Sequence, residues 1–177
     1  MFLREHRVSW REAFGLEKAR QPKAVLLGIL AASLFVPLEM VWMYGSQIAL
    51  EHPVPQPLVD VLQKPDLAPG EKAFMGAVAV FFAPLAEEVI FRGVLYPAIK
   101  QAGYPRTAWW VTSLFFGAIH QNLIAFVPLT VFSLLLIFIY EKTGSLWASI
   151  TAHSLFNFTT FAILMVNSSL PLSTPVR

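Results

Sequence analysis

Long apolar stretches follow one another through most of this chain, and they constrain its fold more than any other feature. Five stretches are candidates for membrane-spanning helices: residues 24–50, 73–99, 107–120, 123–140 and 146–167. Of the 177 residues, 56% are hydrophobic and only 14% are charged, and the mean hydropathy is +0.59. A soluble domain of this size cannot bury that much apolar surface. We therefore predict an all-α fold, a polytopic membrane helix bundle of about five transmembrane helices.

The segments outside these stretches divide the chain further. Residues 1–23 alternate basic and apolar side chains, which indicates a basic amphipathic helix in the membrane interface, or else an ordinary polar tail. Residues 51–72 contain five prolines and form a predicted water-exposed loop, with one short helix near 58–63. Residues 73–168 form the predicted membrane core, and 169–177 are a tail.

The distribution of Lys and Arg predicts the orientation of the bundle. With five spans and the N-terminus in the cytoplasm, nine basic residues lie inside and three outside (Arg4, Arg7, Arg11, Lys18, Arg20, Lys23, Lys100, Arg106 and Lys142 against Lys64, Lys72 and Arg177). The positive-inside rule favours this arrangement. The net charge of +2 gives no reason to expect nucleic acid as a partner, and the absence of cysteine excludes thiolate nucleophiles and disulfides.

Three ionisable residues interrupt the second apolar stretch: Glu87, Glu88 and Arg92. A charged residue at the centre of a membrane helix costs roughly 2.5–3.5 kcal/mol, so such residues mark functional sites by default. Glu88 and Arg92 are four residues apart and therefore share a helix face as a predicted ion pair, whereas Glu87 points about 100° away and lacks this partner. The alternative is one buried salt-bridge cluster with a structural role. Glu39 is a further intramembrane carboxylate, placed close to an interface.

Two further polar groups lie on later helices. His120 ends the third stretch, three residues after Gly117, which allows close approach of another backbone. His153 and Asn157 are four apart on one face of the fifth stretch. Each group by itself also fits a structural reading, as an interfacial histidine or a hydrogen-bond clamp between helices.

Taken together, the three groups fit hydrolysis by an activated water. Glu87 would take a proton from a water that His120 also holds, and His153 and Asn157 would donate hydrogen bonds to the developing oxyanion. The serines at 113, 133 and 154 lack the Gly-x-Ser-x-Gly elbow, and no His-Glu-x-x-His zinc motif is present.

These residues resemble the CPBP intramembrane proteases, which include the type II CAAX prenyl endopeptidases and bacteriocin-processing or immunity proteins. The family signature is Glu-Glu-x-x-x-Arg, then Phe-x-x-x-His, then His-x-x-x-Asn, each on its own membrane helix. The chain has these motifs in that order, at Glu87–Arg92, Phe116–His120 and His153–Asn157. The resemblance covers about residues 73–160, a four-helix core.

The resemblance implies a glutamic intramembrane endopeptidase of a prokaryotic plasma membrane that needs no metal. Glu87 and His120 would activate the water, His153 and Asn157 would form the oxyanion hole, and Glu88 and Arg92 would support Glu87. A zinc enzyme with Glu87, His120 and His153 as ligands is the less favoured alternative. The expected partner is a protein or peptide substrate in the lipid bilayer: a prenylated protein, a bacteriocin-type peptide or a C-terminal sorting tail. A non-catalytic adaptor or immunity protein and a proton-coupled transporter are the other function classes.

Overall fold

The computed structural model describes residues 21–49, 64 and 67–169, and these residues contain helices and turns but no strand. In chain order the helices are α1 (Gln21–Ala49), α2 (Pro69–Gln101), α3 (Pro105–Ile119), α4 (Leu123–Thr143) and α5 (Leu146–Ser169). The predicted all-α helix bundle is confirmed. α1 and α2 begin three and four residues earlier than predicted, at Gln21 and Pro69. The predictions for residues 1–20, for the helix near 58–63 and for the end of the chain lie outside the described residues.

Four of these helices are long and apolar enough to cross a membrane, namely α1, α2, α4 and α5. The third predicted span is the exception, because α3 has 15 residues. It rises about 22 Å, which is less than the ~30 Å of a hydrocarbon layer. The bundle is therefore polytopic, with four candidate spans and one shorter helix.

Neighbouring helices run in alternating directions. Phe91 of α2 packs on Phe116 of α3, with ring centroids 5.2 Å apart, whereas Tyr96 further along α2 packs 6.4 Å from Trp109, earlier in α3. α3 is therefore antiparallel to α2. α2 and α4 are parallel, because Arg92 contacts Ser133 and Lys100, later in α2, contacts Glu141, later in α4. α2 and α5 are antiparallel, because Glu88 contacts His153, whereas Ala79, earlier in α2, contacts Asn157, later in α5.

This alternation gives the bundle two chemically different ends. The first, called the basic end below, holds the start of α1 and the α2–α3 and α4–α5 turns, with Lys23, Lys100, Arg106 and Lys142. The opposite end holds the end of α1, the start of α2 and the α3–α4 turn.

α1 packs along α4 and α5 through aromatic rings and one close glycine contact. The Phe35 ring lies 4.8 Å from that of Phe132 and 5.8 Å from that of Phe156. A Cβ at Gly28 would stand 2.4 Å from the Ala148 carbonyl oxygen, so only glycine allows this approach.

Nearer the opposite end, α1 holds α4 by a hydrogen bond to a carbonyl that a proline leaves free. The Trp42 indole donates to the Ile124 carbonyl at 2.9 Å. Pro128, four residues after Ile124 and inside α4, has no N–H with which to make the usual helical bond to that carbonyl.

α2 is irregular where it carries the acidic cluster. Two π-helical segments, Val78–Phe82 and Val89–Leu95, flank the short α-helical segment Ala83–Glu88. In the first widened turn, just before Pro84, the Ala83 N–H bonds the Val78 carbonyl five residues back. Single π turns inside α-helices occur frequently at functional sites.

Candidate active site

The Glu88–Arg92 ion pair predicted from the sequence is present and completely buried. Arg92 Nη1 donates to Glu88 Oε1 at 2.9 Å, and neither side chain is exposed to solvent. Arg92 Nη2 also donates to Ser133 on α4, to its hydroxyl at 2.7 Å and its carbonyl at 3.0 Å. Nothing in the local sequence pattern indicates Ser133 as a partner of Arg92, because the two residues are 41 positions apart. The two charges thus neutralise each other within α2, and the hydrogen bonds to Ser133 hold Arg92 against α4.

Glu87 differs from Glu88 as the helical geometry predicted. Its side chain is 27% exposed and does not contact Arg92 as an ion pair. The Oε2 atom is buried and has no hydrogen-bond partner among the described residues. Its nearest cationic group is the His153 ring, with Nε2 3.8 Å away. Glu88 Oε2 likewise has no partner among the described residues, but the Glu88 side chain is fully buried, so Glu87 is the carboxylate of the cluster that another molecule can reach.

His153 lies between the two carboxylates, an arrangement that the sequence did not predict. Its Nδ1 is 2.8 Å from Glu88 Oε1, and the rings of Phe116 and Phe132 meet it edge-on at 5.6 and 5.7 Å. An ionised carboxylate only accepts hydrogen bonds, so Nδ1 carries a proton. Nε2 then donates only when the ring holds both protons, as the imidazolium.

Asn157 follows His153 by one helical turn and is oriented by the irregular part of α2. Its Nδ2 donates to the Ala79 carbonyl at 2.8 Å. This carbonyl lacks its usual helical donors, because the Ala83 N–H bonds Val78 instead and Pro84 has no N–H. The amide nitrogen keeps a second N–H for another acceptor.

His120 stands at the end of α3, as predicted, and its ring is held by its own helix. Nδ1 lies 2.8 Å from the Phe116 carbonyl, which can only accept, so Nε2 carries the lone pair in the neutral ring. The next residue, Gln121, has a φ of 52°, and Asn122 then caps α4 by accepting from the Ala125 N–H at 2.9 Å. The end of α3 at Ile119 and the left-handed backbone of Gln121 together determine where His120 lies between α3 and α4.

The ring of Phe116 joins the three motifs. It lies 5.0 Å from the Arg92 guanidinium carbon, 5.0 Å from the His120 ring and 5.6 Å from the His153 ring. Gly117 allows this packing, because a Cβ there would stand 2.5 Å from Thr130 Oγ1 on α4. Residues of α2, α3 and α5, one from each motif, therefore lie around this ring.

The alternative considered from the sequence is a zinc site with Glu87, His120 and His153 as ligands. Within the part of the chain that the structure describes, no three His, Asp or Glu side chains are grouped so as to hold a metal ion. His120 forms no ion pair with a described carboxylate, whereas His153 contacts two. As placed in this structure, Glu87, His120 and His153 do not form such a group.

Comparison with known proteins gives two curated relatives and one family. The chain is 29% identical over 122 residues to a Bacillus subtilis protein named "Putative membrane peptidase YdiL", covering 69% of this chain and 46% of the relative. It is 39% identical over 72 residues to "Uncharacterized protein YpbD" of the same organism, covering 38% of this chain and 34% of that protein. The chain therefore spans less than half the length of these relatives. No solved structure matches it.

The family match coincides with the polar site. Residues 69–159 match the family described as "Type II CAAX prenyl endopeptidase Rce1-like". This range is more than half of the chain; it begins at the first residue of α2 and contains all three motifs. The four apolar helices identify a membrane protein, in keeping with such a family. The chain belongs to the Rce1-like family of type II CAAX prenyl endopeptidases, a family of membrane proteases.

Proposed function

We propose that this protein is a glutamic intramembrane endopeptidase that hydrolyses a peptide bond with a water activated by Glu87 and His120. The observation that carries the proposal is the unequal environment of the two adjacent carboxylates. Glu88 is fully buried and paired with Arg92, whereas Glu87 is 27% exposed and forms no ion pair with Arg92. Each carboxylate has a buried Oε2 atom without a hydrogen-bond partner among the described residues, but only that of Glu87 belongs to a partly exposed side chain. A carboxylate in this position is suited to act as a general base.

In the proposed first step, a water hydrogen-bonded to Glu87 Oε2 and His120 Nε2 attacks the carbonyl carbon of the scissile bond. The water loses one proton to Glu87, and the carbonyl oxygen becomes an oxyanion. His120 accepts from the water through Nε2, because the Phe116 carbonyl keeps the ring proton on Nδ1. In the second step the C–N bond breaks, and Glu87 returns its proton to the leaving amine.

The oxyanion is stabilised by His153 and Asn157. Asn157 offers its second amide N–H while the Ala79 carbonyl holds the first. His153 donates from Nε2 as the imidazolium, with Glu88 on Nδ1. Glu87, Glu88 and Arg92 have formal charges that sum to −1, so an imidazolium at His153 makes the buried group neutral. Loss of one oxyanion donor costs about 10²–10³-fold in kcat in well-studied hydrolases.

The test compares Glu87→Gln with the wild-type protein in the native membrane. We expect the isosteric variant to fold normally and to abolish cleavage, so that one or more membrane or exported proteins keep their full length. Glu39→Gln is the matched control, because Glu39 is a carboxylate in α1 away from the acidic cluster; we expect it to retain cleavage. A folded Glu87→Gln protein with unchanged protein termini would exclude the proposed mechanism, and a retained biological effect would then favour an adaptor.

A further inference from the structure

Helix α4 carries no residue of the three motifs, yet it is the most enclosed of the four candidate spans. In its most apolar window 50% of the residues are buried, against 22–28% in the corresponding windows of α1, α2 and α5. Two adjacent residues of α4, Phe132 and Ser133, are fully buried. Ser133 contacts Arg92 of α2, and Phe132 meets the His153 ring of α5. α4 therefore contacts two motif residues directly.

The Arg92 guanidinium depends on Ser133 for its second anchor. Nη1 bonds Glu88, and Nε has no hydrogen-bond partner among the described residues. Nη2 donates to the Ser133 hydroxyl at 2.7 Å and to the Ser133 carbonyl at 3.0 Å. Within the described part of the chain, Arg92 thus has one hydrogen-bond partner besides Glu88, and that partner is on α4.

The surroundings of this contact are apolar. Leu129 and Ile137 lie one turn before and one turn after Ser133, the latter toward the basic end, so all three share a face of α4. These two side chains are 7% and 0% exposed. The ring of Phe116 covers the guanidinium, with its centroid 5.0 Å from the Arg92 guanidinium carbon. A buried N–H that loses its acceptor in such surroundings has no solvent to replace it.

A continuous set of hydrogen bonds leads from Ser133 to His153. Glu88 Oε1 accepts from Arg92 Nη1 at 2.9 Å, and the same oxygen lies 2.8 Å from His153 Nδ1. Because a single oxygen has both partners, the place of the guanidinium determines where that oxygen meets the imidazole. The opposite ring nitrogen, Nε2, is the proposed donor to the oxyanion. A shift of Arg92 would therefore change the direction in which Nε2 points.

We propose that Ser133 is a positioning residue for the hydrolysis: by holding Arg92, it keeps Glu88 where it orients His153 toward the oxyanion. This inference rests on the proposed function, and it assigns a role in the reaction to a helix without a motif. Ser133 does not touch the substrate. Donors to an oxyanion act by being held in place before the reaction, so a loosened His153 lowers the rate of the bound complex. A simple clamp between α2 and α4 would stabilise the fold without changing that rate.

Kinetics in proteoliposomes separate these two roles, with a quenched fluorescent peptide that spans a cleavage site lost in Glu87→Gln. We expect Ser133→Ala to lower kcat about 10-fold with KM nearly unchanged, less than the ~10²–10³-fold cost of removing a direct donor. Ser133→Thr keeps the hydroxyl and should recover most of kcat. Ser113→Ala is the matched control, because Ser113 is equally buried and its hydroxyl has no partner among the described residues. A wild-type kcat for folded Ser133→Ala would overturn the proposal.

Nuclear magnetic resonance of the imidazoles tests the same connection without any substrate. With ¹⁵N-labelled histidine in detergent micelles, the ring nitrogens are observed through their carbon-bound protons and assigned with a His120→Gln variant. We expect Ser133→Ala to shift the Nδ1 resonance of His153. The Nδ1 resonance of His120 should stay in place, because this nitrogen is held by the Phe116 carbonyl of its own helix. An unchanged His153 resonance in folded Ser133→Ala would contradict the inference.

The inference and the protease function can fail separately. If cleavage depends on Glu87 while Ser133→Ala keeps the wild-type kcat, the protein is a protease but Ser133 has no part in the reaction. If Ser133→Ala shifts the His153 resonance while no protein terminus depends on Glu87, the connection through Arg92 is correct and the protease function fails. The inference is supported when the loss of kcat and the shift of His153 occur together in Ser133→Ala and neither occurs in Ser113→Ala.

Discussion

Replacement of Arg92 by Met removes the positive charge from the centre of the acidic cluster. Arg92 makes three hydrogen bonds, one to Glu88 and two to Ser133, at 2.7–3.0 Å, and it is fully buried. Met has a similar length, so the main loss is electrostatic: the buried Glu88 carboxylate loses its ion-pair partner. Breaking a buried ion pair in this way costs about 3–5 kcal/mol. The folding equilibrium should change by roughly 10²–10⁴-fold.

The free energy of unfolding can be measured by reversible SDS titration in mixed micelles, followed by far-UV circular dichroism. The chain contains its own control, because Lys100 and Glu141 form an ion pair with side chains 41% and 33% exposed. Lys100→Met should cost no more than about 1 kcal/mol, as exposed pairs do. The double variant Glu88→Gln/Arg92→Met removes both charges and should be more stable than Arg92→Met alone.

The electrostatic reasoning is refuted if Arg92→Met costs less than about 1 kcal/mol, or if the double variant is as unstable as the sum of the two single variants. Arg92→Lys adds a further check. A lysine keeps the charge but lacks the planar fork that reaches Glu88 and Ser133 together. We expect an intermediate loss of stability for this variant.

Three further substitutions test the packing around the site. Gly28→Val places a side chain against the Ala148 carbonyl, where a Cβ would stand 2.4 Å away, and should cost about 1–3 kcal/mol in the same titration; an unchanged midpoint would contradict the α1–α5 contact. Trp42→Phe removes the donor to the Ile124 carbonyl and should cost roughly 0.5–1.5 kcal/mol; no measurable loss would mean that this bond contributes nothing. Gly117→Ala places a Cβ 2.5 Å from a hydroxyl on α4 and should displace the end of α3, lowering the cleavage rate by more than its loss of stability explains; equal losses would argue against a positioning role.

Local features of the site were predictable because helical geometry connects residues that are close in sequence. The spacing of Glu88 and Arg92 predicted their ion pair, and the same periodicity separated Glu87 from it. Gly117 was expected to allow close approach, and α4 packs on it. The catalytic roles that follow from the motifs remain predictions, to be tested by substitution.

Contacts between distant segments were not predictable from the same patterns. Ser133 as a second partner of Arg92, and His153 between two carboxylates, join residues 41 and 65 positions apart. Which face of α4 or α5 meets α2 depends on how side chains of all five helices interlock, and hydropathy does not encode that choice. The use of the Ala79 carbonyl by Asn157 also required a π turn that no sequence signal indicated.

The sequence by itself determined that this chain forms apolar helices, where most of them turn, and which ionisable residues interrupt them. These properties follow from the cost of leaving backbone or charge unsatisfied in lipid, which acts on each segment separately. Only the tertiary structure decided that Ser133 joins the buried ion pair and that His153 lies between the two carboxylates. It also decided that Glu88 is fully buried while the adjacent Glu87 stays partly exposed. Those outcomes depend on the packing of helices against one another, which sets the partners and the exposure of each side chain.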